Sequence, residues 1–99
     1  MQFLVLAYDA QDDKAAERRA AAREAHLSLI GEIKEAGQVH MGAAIQTEQG
    51  RVIGSGLIGE FDSRCQLDEW LKKEPYVTED VWENVEVKPC ALGPFFTRK

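Results

Sequence analysis

The sequence predicts an α+β fold of β-α-β-β-α-β order, the ferredoxin-like split βαβ arrangement with an antiparallel sheet and two helices on one face. Three observations predict it. Strand-like apolar runs occupy Phe3 to Tyr8, Val39 to Ile45, Arg51 to Phe61 and Glu83 to Pro89. A long alanine-rich stretch with helical periodicity follows the first run, and a shorter one follows the third. The connections are short and polar, and no linker or repeat divides the chain, so residues 1–99 read as a single domain.

Phe3 to Tyr8 is apolar on both faces, as a central strand buried on both sides requires. Asp12-Asp13 ahead of the alanines is a helix start, and Gly37 supplies the left-handed residue that stops the helix near Ala36. Within it, Ala22, His26, Leu29, Ile30 and Ile33 share one arc, with Arg19 and Arg23 at its N-terminal end and Glu24, Ser28, Glu32 and Glu35 opposite. The second and third strands form a hairpin around the polar loop 46–50. Three glycines, Gly54, Gly56 and Gly59, interrupt the third strand, and each needs a bend or a close approach to explain it. Ser63 and Gln66 fit a capping box for the second helix, whose buried stripe is Leu67, Trp70 and Leu71 and which is expected to end at Pro75. Residues 76–82 read as a connector with a helical turn at 78–80. In the last strand Val85 and Val87 alternate with Glu86 and Lys88. The tail 91–99 is expected to be mobile or an extra edge strand, with Phe95-Phe96 docked on a neighbour. Two helices cover one sheet face only. The other is expected to carry apolar residues from four strands and to be covered by a second copy of the chain.

Composition narrows the function. The net charge of -5, with 44% hydrophobic and 29% charged residues, describes a globular domain without the basic surface that nucleic acid or an anionic membrane demands. The cluster Arg18, Arg19 and Arg23 suits a small anion instead. No apolar stretch approaches the roughly 20 residues of a membrane span, and the N-terminal run lacks the features of a signal peptide. A cytoplasmic protein with reduced Cys65 and Cys90 is expected. No metal-ligand spacing or phosphate-binding loop is present, so neither metal nor cofactor is expected.

His26 is the one group titrating near neutrality on the inner arc of the long helix. It is either an acid–base group in a cleft or a core histidine bonded to a carbonyl. Arg23 and Arg19 offer the fork geometry that holds a carboxylate or phenolate, or else they pair with an acid such as Glu74 or Asp9. Ser55 among its glycines is a hydrogen-bond donor and not a nucleophile, and Tyr76 either closes the pocket or packs on it. His40 reads as structural or dimer-facing.

The motifs in order resemble the YciI-like (YCII-related) proteins of the dimeric α/β-barrel superfamily. They are Arg23-Glu24-Ala25-His26-Leu27, Glu35-Ala36-Gly37, Gly42-Ala43, Gly54-Ser55, Trp70, Glu74-Pro75-Tyr76 and Val85-Glu86-Val87-Lys88-Pro89. The resemblance implies a homodimer with a cleft in each subunit and acid–base chemistry of the elimination, dehydrochlorination or isomerisation type on small, often aromatic or chlorinated molecules. Carried over by residue, it makes His26 and Glu74 the catalytic pair, Glu74 standing where the family has aspartate. Arg23, Ser55, Tyr76 and Gly42 then contact an anionic or phenolic substrate. The alternative is the same dimer as a binding or accessory module without turnover.

Overall fold

A computed structural model of the chain describes residues 1–96. Strands β1 (Gln2–Asp9), β2 (Val39–Gln46), β3 (Val52–Glu60) and β4 (Trp82–Cys90) form one antiparallel sheet of order β2-β3-β1-β4. Helices α1 (Ala15–Glu35), α2 (Arg64–Leu71) and α3 (Pro75–Thr78) complete the fold. The four strands and two helices expected from sequence are present, and α3 falls in the connector where a helical turn is expected. Thr97 to Lys99, part of the expected tail, lie outside the described residues.

Strand alternation places the core. Phe3, Val5 and Ala7 of β1 point one way and are buried, Phe3 and Val5 with Leu57, Ile33, Phe61, Leu67 and Trp70, and Ala7 with Ala22, Tyr76, Val81 and Trp82. Burying one such apolar side chain contributes about 1.5–3 kcal/mol. The arc of α1 expected to face inward does so: Ala22 and Ile33 are buried, Leu29, Ile30 and His26 partly so, while Glu24, Ser28, Glu32 and Glu35 are exposed. Gly37 adopts φ +75 behind the helix, as a left-handed terminator must. Gly54 has a steric reason: a Cβ there would collide with the Ala7 carbonyl oxygen, so β1 and β3 approach this closely only across a glycine.

Asp12-Asp13 precede α1 as expected, with Lys14 at the N-cap; the Asp12 carboxylate accepts from the Arg18 guanidinium at 2.6 and 2.8 Å and from the Lys14 N–H. Other expectations need correction. Pro75 does not end α2, which stops at Leu71; it begins α3, where a first-turn residue needs no N–H. The helical turn is accordingly 75–78 and not 78–80, with Asp80 in the left-handed region at φ 58 just beyond. Of the two readings of the tail, the edge strand is not present among the described residues: 94–96 form a 3-10 turn, and Phe95 and Phe96 stand 95% and 75% exposed.

The capping box of α2 is half as expected. The Gln66 N–H donates to Ser63 Oγ at 3.1 Å, while the Gln66 side chain accepts from the Asp62 N–H and not that of Ser63. On the sheet face away from the helices, register aligns Leu4, Leu6 and Tyr8 with Ile58, Met41 and Ile45, and no described element covers them. The apolar contribution comes from three strands, not four. The pairings Leu4 with Lys88, Leu6 with Glu86 and Tyr8 with Asn84 put the polar side of β4 on that face.

Candidate active-site cleft

The cleft follows from small residues on an edge strand. Pairing sets Gly42 beside Leu57 and Ala44 beside Ser55, so β2 turns only Gly42 and Ala44 toward α1 in this stretch. An added Cβ on Gly42 would meet only Gly56 O at 3.8 Å and a Leu57 methyl at 3.9 Å, ordinary contacts on an otherwise open side. With no bulk from β2, α1 stands off the sheet and leaves a cavity of about 450 Å³. Arg19, Arg23, His26, Ile30 and Lys34 of α1 line it, facing Ser55, Gly56 and Leu57 of β3.

His26 and Glu74 meet. Their Nδ1 and Oε1 lie 2.7 Å apart, with the imidazole 14% exposed and the carboxylate 0% exposed. The connector builds this contact: Glu74 is the N-cap of α3, and the same Oε1 accepts the Tyr76 N–H at 3.1 Å. Its Oε2 is buried without a partner, so the carboxylate makes its contacts with the imidazole and the helix end through Oε1 alone. An ionised Glu74 requires a donating Nδ1–H, which makes Nε2 of the neutral ring the acceptor. Aromatic packing fixes the ring plane. Tyr76 stacks on His26 at 3.9 Å and 7°, and Trp82 meets both edge-on, at 6.0 Å from His26 and 5.5 Å from Tyr76.

Arg19 forms the other half of the support. Its Nε and Nη2 donate to Asp9 at 2.7 and 3.0 Å, and Nη2 also reaches Ser55 Oγ at 3.0 Å and the Gly54 carbonyl at 3.3 Å. The guanidinium lies 4.7 Å from the centre of the Tyr76 ring. Burial is the largest single influence and opposes its charge, yet the hydrogen bonds and charge of Asp9 together with the Tyr76 phenol outweigh it, and the pKa is raised. Burial also pushes the Tyr76 phenol up, against the opposing pull of Arg19 and Arg23. Of the two pairings open for Arg19, the structure shows the ion pair with Asp9. Arg23 has no ion-pair partner among the described residues and is exposed at the cleft wall. His40 lies at a β2 irregularity between Val39 and Met41, with Nε2 2.9 Å from Glu60 Oε1. Among the described residues no cluster of His, Cys, Asp and Glu is suited to a metal ion, and no helix is long and apolar enough to cross a membrane.

The family model of the YCII-related domain matches residues 1–91. The chain belongs to the YCII-related family. Protein YciI of Escherichia coli O6:H1 is 32% identical over 95 residues, covering 90% of this chain and 95% of the relative, and Protein YciI of Shigella flexneri matches equally. Among solved structures, the 5-chloro-2-hydroxyhydroquinone dehydrochlorinase of Burkholderia phenoliruptrix AC1100, in complex with 2,5-dihydroxybenzoquinone, superposes with a TM-score of 0.81 at 20% identity, over 96% of this chain and 98% of that one. Rv0793 of Mycobacterium tuberculosis gives 0.51 at 14%, over 94% and 96%. At these identities the likeness is one of fold alone, an α+β chain with a four-stranded antiparallel sheet.

Within this YCII-related chain, His26, Arg23, Ser55, Tyr76 and Gly42 all line one cleft, and Glu74 stands directly behind His26. Tyr76 is buried and backs the imidazole. The sequence reading missed Trp82 and Lys34. Nothing in a connector tryptophan distinguishes it from core, but Lys34 lies eight residues past His26, two turns and a fraction along the same helix face, and the periodicity held that signal.

Proposed function

We propose that the cleft performs acid–base chemistry on a small organic molecule, of the elimination, dehydrochlorination or isomerisation type, with His26 as the proton-transferring group. The observation that carries this is the 2.7 Å contact between the imidazole and a carboxylate with no exposure, at the wall of an open cavity. Glu74 orients the ring and balances the imidazolium formed when Nε2 takes a proton, a contribution of about 10²–10⁴ in rate for a well-placed general base. In an elimination the proton passes to Nε2, its bonding electrons form the new double bond, and the leaving group departs with its own pair. Arg23 stands one turn away, placed to hold the developing phenolate or enolate. Ser55 accepts from Arg19 and keeps its O–H to donate, Gly42 leaves room for the substrate, and Tyr76 contacts it by an edge while holding the ring. The structural neighbour that is a dehydrochlorinase supports this reading.

The unit in solution is proposed to be a homodimer closed over the face of Leu4, Leu6, Ile58 and Met41, because a contiguous apolar face of this kind seeks a partner. Free Cys65 and Cys90 suit a cytoplasmic setting. The test is a thermal-shift screen of small phenols, chlorinated phenols and organic acids, followed for each hit by proton–deuterium exchange and chloride release. Exchange or turnover that disappears in His26→Gln while the ligand still binds supports the proposal. Ligands that bind and never exchange would make the protein a binding module, and light scattering showing a monomer would remove the dimer.

A further inference from the structure

The charge inside the cleft runs against that of the chain. Every ionisable side chain on its wall is basic apart from the Tyr76 phenol: Arg19, Arg23, His26, Lys34 and His40. The chain as a whole carries -5. Three of the five are already answered by a carboxylate, Arg19 by Asp9, His26 by Glu74 and His40 by Glu60. Arg23 and Lys34 are not: neither has an ion-pair partner among the described residues, and both are exposed at the wall. A helix rises about 1.5 Å per residue, so Lys34 stands roughly 12 Å beyond His26 along α1, with Arg23 roughly 4.5 Å before it. Between His26 and Lys34 the wall is apolar, formed by Ile30, Leu57 and Val39. The cavity of about 450 Å³ falls within the range of pockets that enclose drug-sized ligands and exceeds the need of one ring.

We propose that the ligand is an elongated organic acid, spanning the cleft with its reacting hydroxyl or C–H at His26 beside Arg23 and a remote carboxylate at Lys34. The apolar body of the molecule lies over Ile30, Val39 and Leu57, where desolvation favours it. The two free cations take the two ends, and the low-dielectric wall between them raises the local concentration of anions at the mouth. The placement of the reacting end rests on the acid–base reading of His26; the carboxylate end does not.

The experiment compares an acid with its own ester, so that only charge differs. Dissociation constants of 4-hydroxycinnamate, methyl 4-hydroxycinnamate and phenol are measured by calorimetry at low and high salt. The native chain, Lys34→Met, Lys34→Glu and Arg23→Met are compared. The acid is expected to bind about fivefold more tightly than the ester at low salt, the upper end of what an exposed ion pair delivers. That preference falls below about twofold in Lys34→Met and reverses in Lys34→Glu, and added salt erodes it. An unchanged ester affinity in Lys34→Met shows that the fold is intact. Arg23→Met weakens acid and ester alike. Equal binding of acid and ester, a preference that survives both Lys34 substitutions, or no binding of the acid at millimolar concentration overturns the proposal. The ¹⁵N shifts of the His26 ring separate the two readings. A neutral ring protonated on Nδ1 with no acid preference removes the elongated acid alone, and a preference with the proton on Nε2 removes the acid–base reading alone.

Discussion

Two imidazole–carboxylate pairs occur among the described residues, and they differ in burial and in what else each carboxylate holds. His26 with Glu74 and His40 with Glu60 have imidazole-to-carboxylate distances of 2.7 and 2.9 Å. The Glu74 carboxylate has no exposure, meets both the His26 ring and the Tyr76 N–H through Oε1, and faces a ring stacked against Tyr76 and flanked by Trp82. Glu60 is 38% exposed and shares its two oxygens among His40, the Met1 ammonium and Gln2. Distance alone therefore says little. A carboxylate in water with three partners is a tie between a strand end and a terminus. A carboxylate out of water, held by a helix N-cap and facing one ring, dictates which nitrogen of that ring stays free.

The sharpest way to break this comparison is to remove function from one side. His26→Gln is expected to lower turnover by about 10²–10⁴ for any substrate the screen yields, while Glu60→Gln changes it by less than about threefold. Steady-state rates on folded variants decide this. Stability should separate the pairs next. Glu74→Ala strips a buried partner from His26 and the cap from α3, a loss of about 2–4 kcal/mol by urea unfolding, against less than about 1 kcal/mol for Glu60→Ala after solvent screening. Arg19→Met leaves Asp9 partly buried and unpaired and should cost about 1–3 kcal/mol. Adding Asp9→Asn should recover part of it, which a double-mutant cycle measures.

The smallest effect is in acid. The hydrogen bond from His40, followed by that of the N-terminal ammonium, lowers Glu60 from 4.5 to about 2. A depressed carboxylate pKa gives stability that is complete above the unfolded value near 4.5 and is lost as pH falls toward about 2. The native chain should lose a fraction of a kcal/mol over that window that Glu60→Gln does not, once the exposure of the pair is allowed for.

Much of the architecture was legible because it is periodic. The strands, the inward arc of α1 and the left-handed Gly37 follow from spacing and backbone sterics, and α1 is long enough for its period to place Arg23 and His26 on one face. The meeting of His26 with Glu74 came from family motifs, since residues 48 apart share no local signal. Pro75, expected to end α2, opens α3 because proline is equally at home just after one helix and at the first turn of the next. The open face takes apolar residues from three strands where four are expected, because alternation in β4 tells which residues share a face but not which face meets the helices. For the same kind of reason the sequence leaves Arg19 with two alternatives: whether it meets a ligand anion or Asp9 depends on how far α1 stands from the end of β1.

Glu74 Oε1 serves two backers at once, the imidazole of His26 and the amide of Tyr76. A fraying event in a helix of four residues would therefore release the ring together with the chain, and competence would switch off with local melting far milder than global unfolding. Deuterium uptake at one backbone position, Tyr76, then becomes a gauge of how often the contact between Glu74 and His26 opens.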